Sequence, residues 1–241
     1  MNPISTSGSG LLFRTEAGAA EVPVNVLCQA FAALQYRSIN WLHELRYHGV
    51  PISKHPVDLH TYQELIWMVQ PTVIIETGSW CGGSALFFAD HLQRLHGSQP
   101  WLVVSVDNGE LAHDQGLDLP QFVEHERIVF LHGCSWETTT IERIRAYIRS
   151  VDRVLVSLDG AHEEADVEKE LTVYAPFVTV GSYLVVEDTN AEHLFYRGTN
   201  KGPAGALKSF LALHHEFQVD YDCERFLITF NPGGWLKRVA C

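Results

Sequence analysis

No CxxC pair, no Lys/Arg-rich stripe and no apolar run long enough to span a bilayer occurs in this sequence of 241 residues. The cysteines are an odd set, Cys28, Cys81, Cys134, Cys223 and Cys241. That argues against a disulfide framework or a thiolate zinc site and points to a reducing, cytoplasmic setting. With 17 Lys+Arg against 29 Asp+Glu the net charge is -12, so a nucleic-acid backbone is a poor partner and small molecules or cations are better ones. Met1 to Gly10 is polar and Ser/Gly-rich, without the basic start and apolar core of a signal peptide. Residues 1–22 are expected to form a flexible tail, and residues 23–241 one domain whose first part, 23–70, is a helical cap. No repeat or low-complexity tract divides that domain.

What is present is a series of apolar runs that each close in a carboxylate: Val73-Ile74-Ile75-Glu76, Leu102 to Asp107, Val154 to Asp159 and Tyr183 to Glu187-Asp188. Between them lie stretches of helical periodicity. The pattern predicts strand 73–77, helix 84–96, strand 102–107, a polar break at 108–118, strand 128–132, helix 137–149, strand 154–159, helix 163–174 and strand 183–187. Ahead of these, one or two amphipathic helices are expected over 24–46 and another over 61–69. Strand–helix alternation is the mark of βαβ units and a parallel sheet. The short runs Phe217 to Tyr221 and Phe226 to Phe230 are expected to close as an antiparallel hairpin. In a parallel sheet the carboxyl ends share one edge, where ligands of open α/β sheets bind. Five acids would crowd there; like charges about 4 Å apart repel by roughly 4 kcal/mol at an effective dielectric near 20, so they call for separate partners or a cation. This architecture resembles the Rossmann-like fold of class I S-adenosylmethionine-dependent methyltransferases, an α/β fold with a mostly parallel seven-stranded sheet, a C-terminal antiparallel hairpin and N-terminal helices.

The first turn reads Glu76-Thr77-Gly78-Ser79-Trp80-Cys81-Gly82-Gly83-Ser84. A dinucleotide site would have glycine where Trp80 stands, so that the backbone could approach a pyrophosphate. An indole blocks a pyrophosphate but can flank S-adenosylmethionine, which has none. Glu76 would face that ligand's cationic tail, backbone NH groups and Ser84 would hold its carboxylate, and Asp107 would accept its ribose hydroxyls. The plain alternative is a tight strand-to-helix turn with two ordinary strand-end acids. The turn closely resembles motif I of enzymes related to catechol O-methyltransferase, in the order Gly78, Trp80, Cys81, Gly82, Ser84. The resemblance implies a cofactor contact at Ser135 in Leu131-His132-Gly133-Cys134-Ser135, and a cofactor set of Glu76, Gly78, Ser79, Trp80, Ser84, Asp107, Asn108, Ser135 and Asp159. Cys81 and Cys134 have no catalytic partner nearby and are read as packing residues.

Asp159 with Glu187-Asp188 offers three oxygen donors without thiolates, which favours Mg²⁺, with Mn²⁺ and Ca²⁺ as relatives. Such an ion would hold a substrate hydroxyl as Lewis acid and template. His162, three residues after Asp159, is the candidate base, because it titrates near neutrality. The plain alternative is an acidic helix start with His162 on its surface. Asp159-Gly160-Ala161-His162 and Val185-Val186-Glu187-Asp188-Thr189 resemble the cephalosporin hydroxylase and rhamnosyl O-methyltransferase-like family over residues 54–238. Further matches are Pro56-Val57-Asp58-Leu59 with Tyr62-Gln63-Glu64, Tyr174-Ala175-Pro176 with Gly181, Gly202-Pro203, and Phe226 to Pro232. The resemblance implies Asp159, Glu187 and Asp188 as Mg²⁺ ligands. Gly160-Ala161 departs from members with a second acid or serine there, which leaves the wall beside the metal open.

The resulting expectation is an S-adenosylmethionine- and Mg²⁺-dependent O-methyltransferase, releasing S-adenosylhomocysteine and acting on a small-molecule hydroxyl, with a sugar hydroxyl of a glycosylated natural product first. Asp159 and His162 would be its catalytic residues. A catechol-type phenol is the nearest alternative acceptor. A nicotinamide dehydrogenase is opposed by Trp80, and a silent binding protein by the intact acids. Residues 189–201, with His193, Phe195, Tyr196 and Arg197, are read as a lid or an oligomer contact, and a homo-oligomer stays open. Trp41, Trp67 and Trp101 are read as core or interface residues.

Overall fold

Every residue of Val73–Thr77 is buried, and that strand, β5, is an inner strand of the molecule's seven-stranded sheet. The computed structural model describes residues 10–15, 18–39, 44–109, 123–191 and 202–240, with side chains from residue 22 onward. The elements in order are β1 (Gly10–Thr15), β2 (Gly18–Pro23), α1 (Val24–Ser38), β3 (Arg46–Tyr47), β4 (Val50–Pro51), α2 (Pro56–Val69) and β5. Then come α3 (Gly83–His96), β6 (Leu102–Asp107), β7 (Ile128–His132), α4 (Thr138–Arg145), β8 (Val154–Leu158), α5 (Glu164–Tyr174), β9 (Tyr183–Val186), α6 (Pro203–Leu213), β10 (Phe217–Val219) and β11 (Trp235–Arg238). The sheet runs β10-β11-β9-β8-β5-β6-β7, parallel from β9 to β7, with β11 antiparallel to both β9 and β10.

Helices cover both faces, so the inner strands are apolar on both sides rather than alternating. Successive residues still part between two cores, as a pleat requires. Ile75, Val104 and Val156 pack with Ile144, Leu171 and Phe210 of α4, α5 and α6. Ile74, Val103 and Leu155 pack with Leu65, Ile66, Phe88 and Leu92 of α2 and α3. Trp101 is buried in this second core, whereas Trp67 is 70% exposed on the outer side of α2 and is not a core residue; Trp41 lies outside the described residues.

The expected terminal hairpin is drawn differently. Phe217–Val219 pairs with Trp235–Arg238 and not with 226–230. Residues 221–224 form a 3₁₀ turn, Leu227 has φ +68°, and the backbone of Phe230 is engaged elsewhere: its NH donates to Asp58 Oδ2 (2.9 Å) and its carbonyl accepts from Asn190 NH (3.2 Å). The run that looked like a strand is a wall between α1, α2 and the end of β9. Gly234 then lets β11 approach, since a Cβ there would lie 2.1 Å from Val186 O.

Smaller differences have local causes. Helix α2 starts at Pro56, not at 61, because His55 caps it: Nδ1 accepts from Val57 NH (3.2 Å), and Pro56 sits where no NH is needed. Helix α1 stops at Ser38, and β3 and β4 occupy part of the stretch expected as a purely helical cap. Gly10–Thr15 and Gly18–Pro23, nearly all within the stretch expected as a tail, pair as antiparallel strands β1 and β2. Helix α4 ends at Arg145, four residues short of its expected end.

Candidate active site at the carboxyl ends of the strands

The turn from β5 into α3 is held by backbone geometry that few residues accept. Gly78 has φ +82°, and a Cβ on it would lie 2.1 Å from Asp159 O. Trp80 takes φ +42° and is held there because its NH donates to Asp107 Oδ2 (2.8 Å). Asp107 Oδ1 accepts from Gly109 NH (2.6 Å), so both carboxylate oxygens of the β6 end organise backbone. A cavity of about 230 Å³ opens beside this turn, lined by Gly78, Asp107, Asn108, Ser135, Gly160 and His162 among others. Of the expected cofactor set, Gly78, Asp107, Asn108 and Ser135 therefore border one cavity. Glu76, Ser79, Trp80 and Ser84 are buried behind it. Glu76 Oε2 accepts from Ser105 Oγ (2.6 Å), and its Oε1 has no hydrogen-bond partner. Burial raises the Glu76 carboxyl pKa, opposed by the charge of Lys54.

Lys54 is the residue the sequence reading missed. Its Nζ, in a side chain only 2% exposed, lies 2.8 Å from Asp159 Oδ2, 2.6 Å from Glu187 Oε1 and 4.0 Å from Glu76 Oε1. Burial alone would lower the ammonium's pKa; the charges of Asp159, Glu187 and Glu76 outweigh it and hold it above its ordinary value. The crowd of acids is thus met first by a built-in cation. A signal was available: Lys54 is the first lysine of the chain, set among apolar and turn residues just before Pro56.

Glu187 and Asp188 part at this point. Glu187 turns inward, where its Oε1 also accepts from Tyr62 OH (2.7 Å) and Ser157 Oγ (2.6 Å). Asp188 has φ +53° and turns outward, its NH held by Asn231 Oδ1 (2.9 Å). Its Oδ2 lies 2.9 Å from His162 Nε2, and His162 Nε2 is 3.8 Å from Asp159 Oδ1. Donor atoms of Asp159, His162 and Asp188 lie within 4.8 Å of one another and form the candidate metal-holding group among the described residues. Of the expected trio, Asp159 and Asp188 stand in this group, while the Glu187 carboxylate is engaged by Lys54, Tyr62 and Ser157. Burial opposes protonation of His162, but the Asp188 hydrogen bond and the charges of Asp188 and Asp159 outweigh it and push its pKa up to about 9.

Beneath the cavity, Glu170 of α5 is fully buried and accepts from Ser135 Oγ (2.6 Å). The Ser135 hydroxyl, expected on the cofactor, therefore donates to this acid. Burial raises the Glu170 pKa to about 7, against hydrogen bonds from Ser135 and Thr77. At Gly160, part of the departure from the resembled pattern, a Cβ would come 2.9 Å from Glu170 Oε1 and 3.1 Å from Thr77, so a larger residue would have to displace the Glu170 carboxylate.

On the other side of Asp188, α1 closes over the site. Gln35 Oε1 meets His55 Nε2 (2.9 Å), and His55 rests against Phe230 with ring centroids 4.8 Å apart. A second cavity, of about 350 Å³, lies between α1 and residues 227–232. Residues 192–201, most of the expected lid, lie outside the described residues, as does the stretch 110–122.

The family model described as Rhamnosyl O-methyltransferase/CmcI matches residues 39–239. The chain is 30% identical over 223 residues to a rhamnosyl O-methyltransferase of Mycobacterium tuberculosis (strain ATCC 25618 / H37Rv), covering 90% of this chain and 86% of that one. It is 30% identical over 234 residues to a rhamnosyl O-methyltransferase of Mycobacterium leprae (strain TN), covering 94% and 97%. A solved structure of CmcI with Mg and SAM superposes with TM-score 0.63 at 19% identity, over 86% of this chain and 84% of that one, a likeness of fold.

Proposed function

The chain belongs to the rhamnosyl O-methyltransferase/CmcI family, and from that premise we propose that it transfers the methyl group of S-adenosylmethionine to a sugar hydroxyl of a glycosylated small molecule, aided by Mg²⁺. The observation that carries the reading is the Asp159–His162–Asp188 group, set between one cavity under the glycine turn and another under α1. When bound, S-adenosylmethionine supplies an electrophilic methyl group, and a divalent cation supplies the Lewis acidity that lowers an aliphatic hydroxyl's pKa. The donor chemistry fits such a cation, since Mg²⁺ is held by one or two carboxylates with water completing the shell. Asp159 and Asp188 would hold it, and Glu187 would support Asp159 through their shared Lys54.

The protein's own part is positioning and proton transfer. Gly78, Asp107, Asn108 and Ser135 border the cavity that would take the cofactor, and Glu76 behind it would be the acid to face the cationic tail. Asp188 orients the ring of His162 at Nε2; in the neutral ring that donates Nε2–H to Asp188, the lone pair stands at Nδ1, where the hydroxyl proton is taken. A cation held by Asp159 and Asp188 would oppose two of the charges that raise the His162 pKa, which would bring the ring closer to the range of a working base.

The test is methyl transfer from labelled S-adenosylmethionine to a panel of rhamnosides and catechols, with Mg²⁺ and with excess chelator. Transfer to rhamnosides that chelator abolishes and Mg²⁺ restores is the expected result. Transfer to catechols alone would reassign the acceptor, and transfer unaffected by chelator would remove the metal.

A further inference from the structure

We propose that the second cavity is the subsite for the acceptor's sugar, with the Asn190 amide reading two adjacent hydroxyls of an uncharged glycoside. This rests on the reading above and narrows it. The cavity is bordered by Ala32, Asn190, Glu224, Leu227, Thr229 and Pro232 among others, and its volume of about 350 Å³ falls at the lower end of ligand pockets, roughly 300–1,000 Å³. It begins one residue beyond Asp188, so a ring held there lies next to the acid–histidine group. Asn190 is 8% exposed, and neither its Nδ2 nor its Oδ1 has a hydrogen-bond partner. A buried amide with both ends unmet is costly, and such an orphan calls for a partner from outside the chain.

The chemistry of that partner follows from what an amide offers. Nδ2 donates and Oδ1 accepts side by side, which matches two vicinal hydroxyls, each of which can donate and accept. The backbone holds the amide in register, since Asn190 NH donates to Phe230 O (3.2 Å) in the wall opposite α1. Ala32, Leu227 and Pro232 give the remainder of the cavity an apolar surface suited to the C–H face of a deoxy sugar. Its one charged group among the described lining residues is Glu224, which accepts from Gly233 NH (2.7 Å). A sugar nucleotide would bring a diphosphate against a carboxylate, and that repulsion selects for the neutral glycoside.

The experiment measures binding by the full chain, with S-adenosylhomocysteine and Mg²⁺ present, of three probes: p-nitrophenyl α-L-rhamnopyranoside, its 2,3-O-isopropylidene derivative, in which the diol is masked, and thymidine diphosphate rhamnose. Wild type is expected to bind the free glycoside about tenfold more tightly than the masked one, the effect of roughly two modest hydrogen bonds, and to bind the nucleotide least. Asn190→Ala is expected to lose that tenfold and the discrimination with it, while S-adenosylhomocysteine still binds within about twofold. An Asn190→Ala protein that binds the cofactor product normally and still separates the two glycosides would overturn the subsite. Tighter binding of the sugar nucleotide by wild type would overturn the assignment of a neutral acceptor. Failure of wild type to bind S-adenosylhomocysteine would instead overturn the methyltransferase reading beneath it.

Discussion

Replacing Lys54 by methionine removes one charge from a place where three carboxylates converge. The side chain is 2% exposed and its Nζ lies 2.8 Å from Asp159 and 2.6 Å from Glu187, with Glu76 at 4.0 Å. Methionine keeps most of the volume, so the loss is electrostatic. Breaking a buried pair by removing one partner costs roughly 3–5 kcal/mol, because the other charge stays behind without compensation. At about 2–4 °C per kcal/mol for a chain of this size, the melting temperature should fall by roughly 6–20 °C. The sign of the pH dependence follows from the shifts. Lys54 has a raised pKa, so its contribution is complete below the unfolded value and is lost only at strongly alkaline pH. In the variant, Asp159 and Glu76, whose pKa values burial already raises, rise further and take up protons as pH falls. The deficit should therefore be largest near pH 8 and shrink toward pH 5. Urea unfolding at both values measures it, and the double variant Lys54→Met with Glu187→Gln should recover part of it. A loss below about 1 kcal/mol, equal at both pH values, would refute the claim that Lys54 is the counter-ion of this group.

Three further outcomes test other parts of the site. Gly78→Ala, which puts a Cβ 2.1 Å from Asp159 O in a φ +82° backbone, should cost more than the roughly 1 kcal/mol typical of glycine replacement. It should also weaken S-adenosylhomocysteine binding in calorimetry; unchanged affinity would show that the turn does not shape the cofactor cavity. Glu170 has its carboxyl pKa raised to about 7, so the protonated folded state is favoured and stability declines as pH rises through that value. Glu170→Gln should flatten this decline between pH 5 and 8 in thermal scans, and an unaltered slope would contradict the assignment. His162→Ala should lower methyl transfer by roughly 10²–10⁴-fold, the usual share of a general base, with cofactor affinity within a few-fold. Normal turnover across neutral pH would exclude His162 as the base.

The parallel part of the sheet was legible because buried strands leave unbroken apolar runs. Val73–Thr77, Leu102–Asp107 and Val154–Leu158 stand as strands where the runs predicted them. The segment 226–230 misled for a physical reason. Its apolar residues are of the kind a strand uses, yet its backbone bonds go to Asp58 and Asn190, partners 172 and about 40 positions away in the chain. Asp159 and Asp188 were legible as strand-end acids and His162 as a residue at the start of the following helix, and the structure brings them together. Glu187 was grouped with them as half of an acid pair; which of the two turns to Lys54, Tyr62 and Ser157 and which to His162 is set by contacts distant in the chain.

From its sequence alone this protein was determined to be a mostly parallel α/β chain with acids along one sheet edge and a glycine turn unsuited to a pyrophosphate, since those features depend on local periodicity and on steric limits at single residues. Tertiary structure decided how the acids are shared out. Lys54 reaches Asp159, Glu187 and Glu76 from 105, 133 and 22 residues away along the chain, and Asn190 is left unmatched beside a cavity made by α1 and the loop before β11. Such long-range meetings follow from packing two layers of helices on one sheet, and no spacing within a segment records them.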